Sequence, residues 1–162
     1  MQFQLAYQPE EDRLMLRVDA EGHRRGFWLT RRLTSLLIPI LRQRLESTIG
    51  PAVTDEARPW MMALKQVSTR ERYAPTLEAP MPLAEAPILA VTVRHGHDEQ
   101  GRHLLGFFDN HGRGEVYSLS DDLLHLLTQM IDDALPQTDW ALEQAFPQHA
   151  MACWLEAEGT LQ

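Results

Sequence analysis

Sliding the chain along itself by 90 residues lays 1–45 over 91–135 without a gap, and this self-match constrains the fold more than any other feature. The identities are Leu14/Leu104, Asp19/Asp109, Gly22/Gly112, Leu29/Leu119, Leu33/Leu123, Leu36/Leu126, Leu37/Leu127 and Leu45/Leu135. Leucine matches alone would mean little, because amphipathic helices share them. The Asp and Gly in a turn, and Thr30/Ser120 ahead of a leucine-rich run, carry more weight, since each answers a specific backbone need.

The pattern inside each copy reads as three strands and a helix. Phe3, Leu5 and Tyr7 alternate with Gln2, Gln4 and Gln8, the period of a half-buried strand. Leu14, Leu16 and Val18 alternate with Arg13, Arg17 and Asp19, and residues 24–29 supply a third strand. Thr30 then caps a helix to about Ser47, with Leu33, Leu36, Leu37, Ile40 and Leu41 as its inner stripe and a bend expected at Pro39. In the second copy the strands fall at Ile88 onward, at 102–109 and at 114–119. Ser120 caps a helix on Leu123, Leu124, Leu126, Leu127, Met130 and Ile131. Between the copies, residues 54–68 predict a short helix with Trp60, Met61, Leu64 and Val67 inward, and Tyr73–Pro87 an extended Pro-rich crossover. A short helix at about 138–146 and a strand at about 150–156 are expected to end the chain.

The expected fold is therefore α+β: a tandem duplication of a βββα unit about a pseudo-two-fold, with antiparallel sheets packed by helices. One domain spans 1–162, built of repeats at about 1–48 and 88–135, with a helix and crossover at 49–87 and a C-terminal helix and strand in 136–162. Each unit has one apolar sheet face and one apolar helix stripe, so neither half is expected to fold alone.

Charge separates the copies. Residues 1–45 hold eight Arg and five acids, net +3; residues 91–135 hold three Arg and eight acids, net −5. Arg31, Arg32 and Arg42 align with Asp121, Asp122 and Asp132. Aspartates suit a helix N-terminus; arginines there lose about 0.3–1 kcal/mol each against the helix dipole, so something should offset them. Three readings follow. They pair with carboxylates of the second repeat or another subunit, they recognise an acidic partner protein, or they bind a phosphate-type anion with the free amides after Thr30. Arg24, Arg25, Trp28 and Arg44 extend the candidate surface.

A net charge of −8 excludes a chain that coats nucleic acid or an anionic membrane with its whole surface. His95 and His97, with His103 and His111 on neighbouring hairpins and Asp98 or Asp109 near, are the residues that have metal-ligand chemistry. No cysteine or HExxH motif joins them, so no metal and no cofactor is assigned. Gly112-Arg113-Gly114 leads into a strand, not a helix, and no catalytic motif is present, so a non-enzymatic role is expected. Cys153, the single cysteine, allows no intramolecular disulfide and is expected to be a buried thiol. The absence of a leader pattern and of any 18-residue apolar run makes a cytoplasmic protein the expectation.

The run Phe27-Trp28-Leu29-Thr30-Arg31-Arg32-Leu33, after its hairpin and before a leucine-rich helix, resembles small uncharacterised proteobacterial proteins over residues 3–45. In plan, tandem sheet-plus-helix repeats are similar to the Whirly and PUR single-strand nucleic-acid-binding folds. Those repeats have four strands and basic sheet faces, so no residue is carried over. The functional expectation is an adaptor or assembly protein, self-associating as a homo-oligomer or binding an acidic protein surface through the first helix. The alternative is a nucleic-acid or phosphate-ligand binder using the same arginines.

Overall fold

A computed structural model describes residues 1–72 and 79–146. They form an α+β fold of two sheets and three α-helices. The first sheet has the order β1 (Gln2–Gln8), β2 (Arg13–Ala20), β3 (His23–Leu29) and β4 (Ile88–Ala90). The second has the order β5 (Thr92–His97), β6 (His103–Phe108) and β7 (Gly114–Leu119). All pairings are antiparallel except β3 with β4. The helices are α1 (Arg31–Ser47), α2 (Arg58–Arg72) and α3 (Asp121–Ala134).

Alternation of apolar and polar residues builds β1 and β2. Leu14, Leu16 and Val18 are fully buried, as are Phe27 and Leu29 of β3. One turn chemistry recurs in three hairpins. An Asp precedes by three residues a Gly in the left-handed region, at φ +87° for Gly22 and +78° for Gly101 and Gly112. Asp19 Oδ1 accepts from the Gly22 amide, Asp98 Oδ1 from those of Gln100 and Arg102, and Asp109 Oδ1 from those of His111 and Arg113. The second oxygen takes an arginine Nε each time, from Arg24, Arg102 and Arg113 at 2.7–2.8 Å. These bonds satisfy turn amides that no ladder reaches.

The strand expected from Ile88 onward divides. Ile88–Ala90 adds parallel to β3, Thr92–His97 pairs with β6, and between them the Val91 amide donates to Phe108 O at 2.8 Å. One segment thus serves as an edge of both sheets. The sheets share a core, where Phe27 lies 5.4 Å from Phe107 and edge-on to Tyr117 at 6.0 Å. The helices cross between the halves, α1 packing against β5 and α3 against β1, with α1 also touching α3.

Other expectations need correction. Leu36 is half exposed, and the inner stripe of α1 is Leu33, Thr34, Leu37, Ile38, Leu41 and Leu45. α1 runs unbroken through Pro39, which lies on the exposed side. α2 begins later than expected, and Trp60, Met61, Leu64 and Val67 are exposed while Met62 and Thr69 are buried. In this orientation the basic edge of α2 lies against the acidic side of α3. No helix forms at 138–146. A 3-10 turn, Leu135–Gln137, ends α3 at Pro136, and the chain continues irregularly to 146. Residues 79–87 of the crossover are irregular too. They lie across the outer face of the first sheet, where the Gln4 side chain bonds Ala79 O and the Met81 amide. The expected strand at 150–156 and Cys153 lie outside the described residues.

Gly114 begins β7 where a Cβ would overlap the carbonyl of Phe107 on the paired strand, so backbone would have to move. Gly114→Ala should cost about 2–3 kcal/mol, read as a lower urea midpoint, while Gly96→Ala, with nothing near its Cβ, should stay within about 0.5 kcal/mol.

Candidate functional site

The first turns of α1 and α3 share a cap and differ in everything beyond it. Thr30 Oγ1 accepts from the Leu33 amide at 3.2 Å, and Ser120 Oγ from the Leu123 amide at 3.3 Å. Arg31 and Arg32 follow Thr30, both exposed, and among the described residues neither reaches a carboxylate within ion-pair distance. The charge of Arg31 is felt at Asp12. Hydrogen bonds from Tyr7 and Trp140 hold its carboxyl below the usual range, and the Arg31 charge adds to them.

The remaining arginines of the proposed surface are engaged inside the molecule. Arg24 bonds Asp19, and Arg25 bonds Glu85 and Glu115. Arg42 donates to Ala145 O at 3.2 Å and Gln144 O at 3.1 Å. Arg44 points at His95 and His97. Trp28 is half-buried on the outer face of β3, paired in register with Met15. Of the eight residues Arg24, Arg25, Trp28, Thr30, Arg31, Arg32, Arg42 and Arg44, four arginines are engaged within the chain, and Arg31 and Arg32 are exposed with no carboxylate in ion-pair range among the described residues.

The aspartates of α3 are taken. Asp121 faces His103 at 3.0 Å and Lys65 at 3.9 Å, Asp122 pairs with Arg72, and Asp133 pairs with Arg70 at 3.1 Å. Lys65, Arg70 and Arg72 are the basic edge of α2, so the acidic side of α3 is a seat for that helix. Asp132, buried to 5% exposure, accepts the amides of Ala145 at 2.7 Å and Phe146 at 2.9 Å. Burial holds its carboxyl above the ordinary range against those bonds. Arg42 and Asp132, opposite in the 90-residue alignment, thus grip one segment, by its carbonyls and by its amides.

Three of the four sequence-flagged histidines come together. Arg44 Nη2 lies 2.7 Å from His95 Nδ1 and Nη1 lies 2.9 Å from His97 Nδ1, while the His97 and His103 rings are 5.1 Å apart. His111 stands apart in the β6–β7 turn, its amide on Asp109. A guanidinium lies among the three rings, and among the described residues no three His, Cys, Asp or Glu side chains are grouped to hold a metal ion. Sequence reading missed His125. It is 1% exposed on the inner face of α3, and burial pushes its imidazole down to about 4, with Lys65 adding to the shift. The available signal was a histidine within an apolar helical stripe.

A groove of about 580 Å³ lies beside α2, lined in part by Ile49, Met62, Ala63, Val67, Asp132 and Phe146. It too was missed, because the stripe of α2 was assigned to the core. Comparison with protein-family models, with curated proteins and with solved structures gives no match for this chain. No helix of the described residues is long and apolar enough to cross a membrane.

Asp132→Ala would leave two amides without their acceptor and the 144–146 segment hydrogen-bonded through Arg42 and Gln144. A loss of about 2–4 kcal/mol in urea unfolding is expected, since each stranded buried group costs about 1–3 kcal/mol.

Proposed function

We propose that this protein is a non-enzymatic adaptor or assembly protein that receives an acidic protein segment, from a partner or a second copy, on the first turn of α1. The observation that carries this reading is the exposed Arg31–Arg32 pair, without a carboxylate partner among the described residues, at a helix end where cations are unfavourable. An arriving carboxylate would offset that cost. The molecule supplies a template with signs reversed: Asp121 and Asp122, at the matching positions of α3, receive Lys65 and Arg72 of α2. Fitted to the same geometry, the α1 turn would take a helix edge bearing Asp or Glu.

This reading includes a tandem βββα duplication with a pseudo-two-fold relating α1 to α3. It is supported by strand and helix starts near a 90-residue offset, by matching caps at Thr30 and Ser120, and by the reciprocal packing of α1 on β5 and α3 on β1. A cytoplasmic homo-oligomer belongs to the same proposal.

Nucleic-acid binding is the second reading. The engagement of Arg24, Arg25, Arg42 and Arg44 inside the fold counts against it. Two outward arginines would release few counterions, giving a log–log salt slope of only about −1.4 for single strands. A salt titration with a single-stranded oligonucleotide separates the readings, and no binding at low salt is expected. Sedimentation of the wild type should show an assembly that Arg31→Glu/Arg32→Glu converts to monomer. A monomer in both proteins removes self-association and leaves an acidic partner as the occupant.

A further inference from the structure

Four histidines from three elements surround the last turns of α1: His95 and His97 from β5, His103 from β6 and His125 from α3. Arginine offers only donors and keeps its charge at every physiological pH. The contact of Arg44 Nη2 with His95 Nδ1 at 2.7 Å therefore requires a bare lone pair on that imidazole, while Nη1 lies against the His97 ring, 2.9 Å from Nδ1 and 3.1 Å from Nε2, where a second positive charge would repel it. We propose that this junction is an acid-released latch: neutral His95 and His97 hold Arg44, and with it the end of α1, against β5, and protonation of the two rings lets it go.

The surrounding charges favour release. From α1 comes Arg44, its Nε buried and without a partner. From α2 comes Lys65, donating to Thr48 O at 3.0 Å at the end of α1. From β6 comes His103, 4% exposed, its Nε2 on Asp121 and its Nδ1 buried without a partner. From α3 come His125, 3.5 Å from Thr48 Oγ1, and the carboxylates Asp121 and Asp122. Asp98, at the end of β5, is already bonded to Arg102 and Ser118, and Asp122 to Arg72. The His97 and His125 rings thus lie beside two fixed cations, Arg44 and Lys65, with Asp121 the acid that faces His103 and His125.

Partial desolvation beside β6 and α1, with Arg44 and His103, lowers His97, and burial, with Lys65, brings His125 to about 4. A depressed imidazole means the unfolded chain takes its proton first. The stability these groups contribute is complete above the ordinary value of 6.5 and is lost as pH falls from there toward about 4. Release would uncover Leu45 and Ile49, both buried beneath the latch end of α1.

Hydrogen exchange of the full chain at pH 7.5 and 5.5, corrected for intrinsic rates, tests this. Amides of 43–49 and 93–97 should lose about tenfold more protection in acid than those of β1–β3. His95→Gln/His97→Gln, exposed substitutions that keep an acceptor but do not titrate, should reduce that difference to about twofold, and Arg44→Gln should do the same. Equal acid response in both regions overturns the proposal. So does an undiminished response in His95→Gln/His97→Gln, which would assign the sensitivity to His103 or His125.

Discussion

Phe27 touches Phe107 and Tyr117 from the opposite sheet, and the two-sheet arrangement depends on that contact. Burying one such ring is worth about 1.5–3 kcal/mol, and favourable ring geometry adds about 0.5–1.5 kcal/mol per pair. Neither sheet has a complete core of its own. Phe27 belongs to β3, which receives β4 from the second half, and α1 and α3 each pack onto a strand from the other half. Separating the sheets would expose Phe27, Phe107 and the inner stripes of both helices.

With the core fixed, charge decides what lies on the two helices. The acids of α3 are consumed by α2, by His103 and by the 144–146 segment. Arg24, Arg25, Arg42 and Arg44 of the first half are taken by carboxylates, carbonyls and imidazoles, while Arg31 and Arg32 stay exposed on the first turn of α1. A chain of net charge −8 thus presents a small cationic spot where it stabilises the fold least.

Local chemistry made part of this legible. The alternation at Phe3-Leu5-Tyr7 and Leu14-Leu16-Val18, the Asp–Gly turns and the Thr30 and Ser120 caps depend on residues within a few positions of one another. The face of α2 did not, because which side of it packs is set by α3, whose aspartates meet Lys65, Arg70 and Arg72 from 50 to 63 residues away. The division of β4 from β5 depends on Phe108 O, and the histidine cluster on Arg44, more than fifty residues earlier. At the candidate site, sequence identified Arg31 and Arg32 by comparison with Asp121 and Asp122. It could not show that the other arginines have partners, because those partners are set by tertiary packing.

Arg31 and Arg32, at the positive end of the α1 dipole, should weaken the isolated fold. Urea unfolding of Arg31→Glu/Arg32→Glu at low ionic strength tests that directly, at a protein concentration low enough to keep both forms monomeric. The double variant should be more stable than the wild type by about 1 kcal/mol, because acids replace cations at the positive end of α1. A loss of stability of the same size would contradict the account, showing that the arginines are held by partners within the chain.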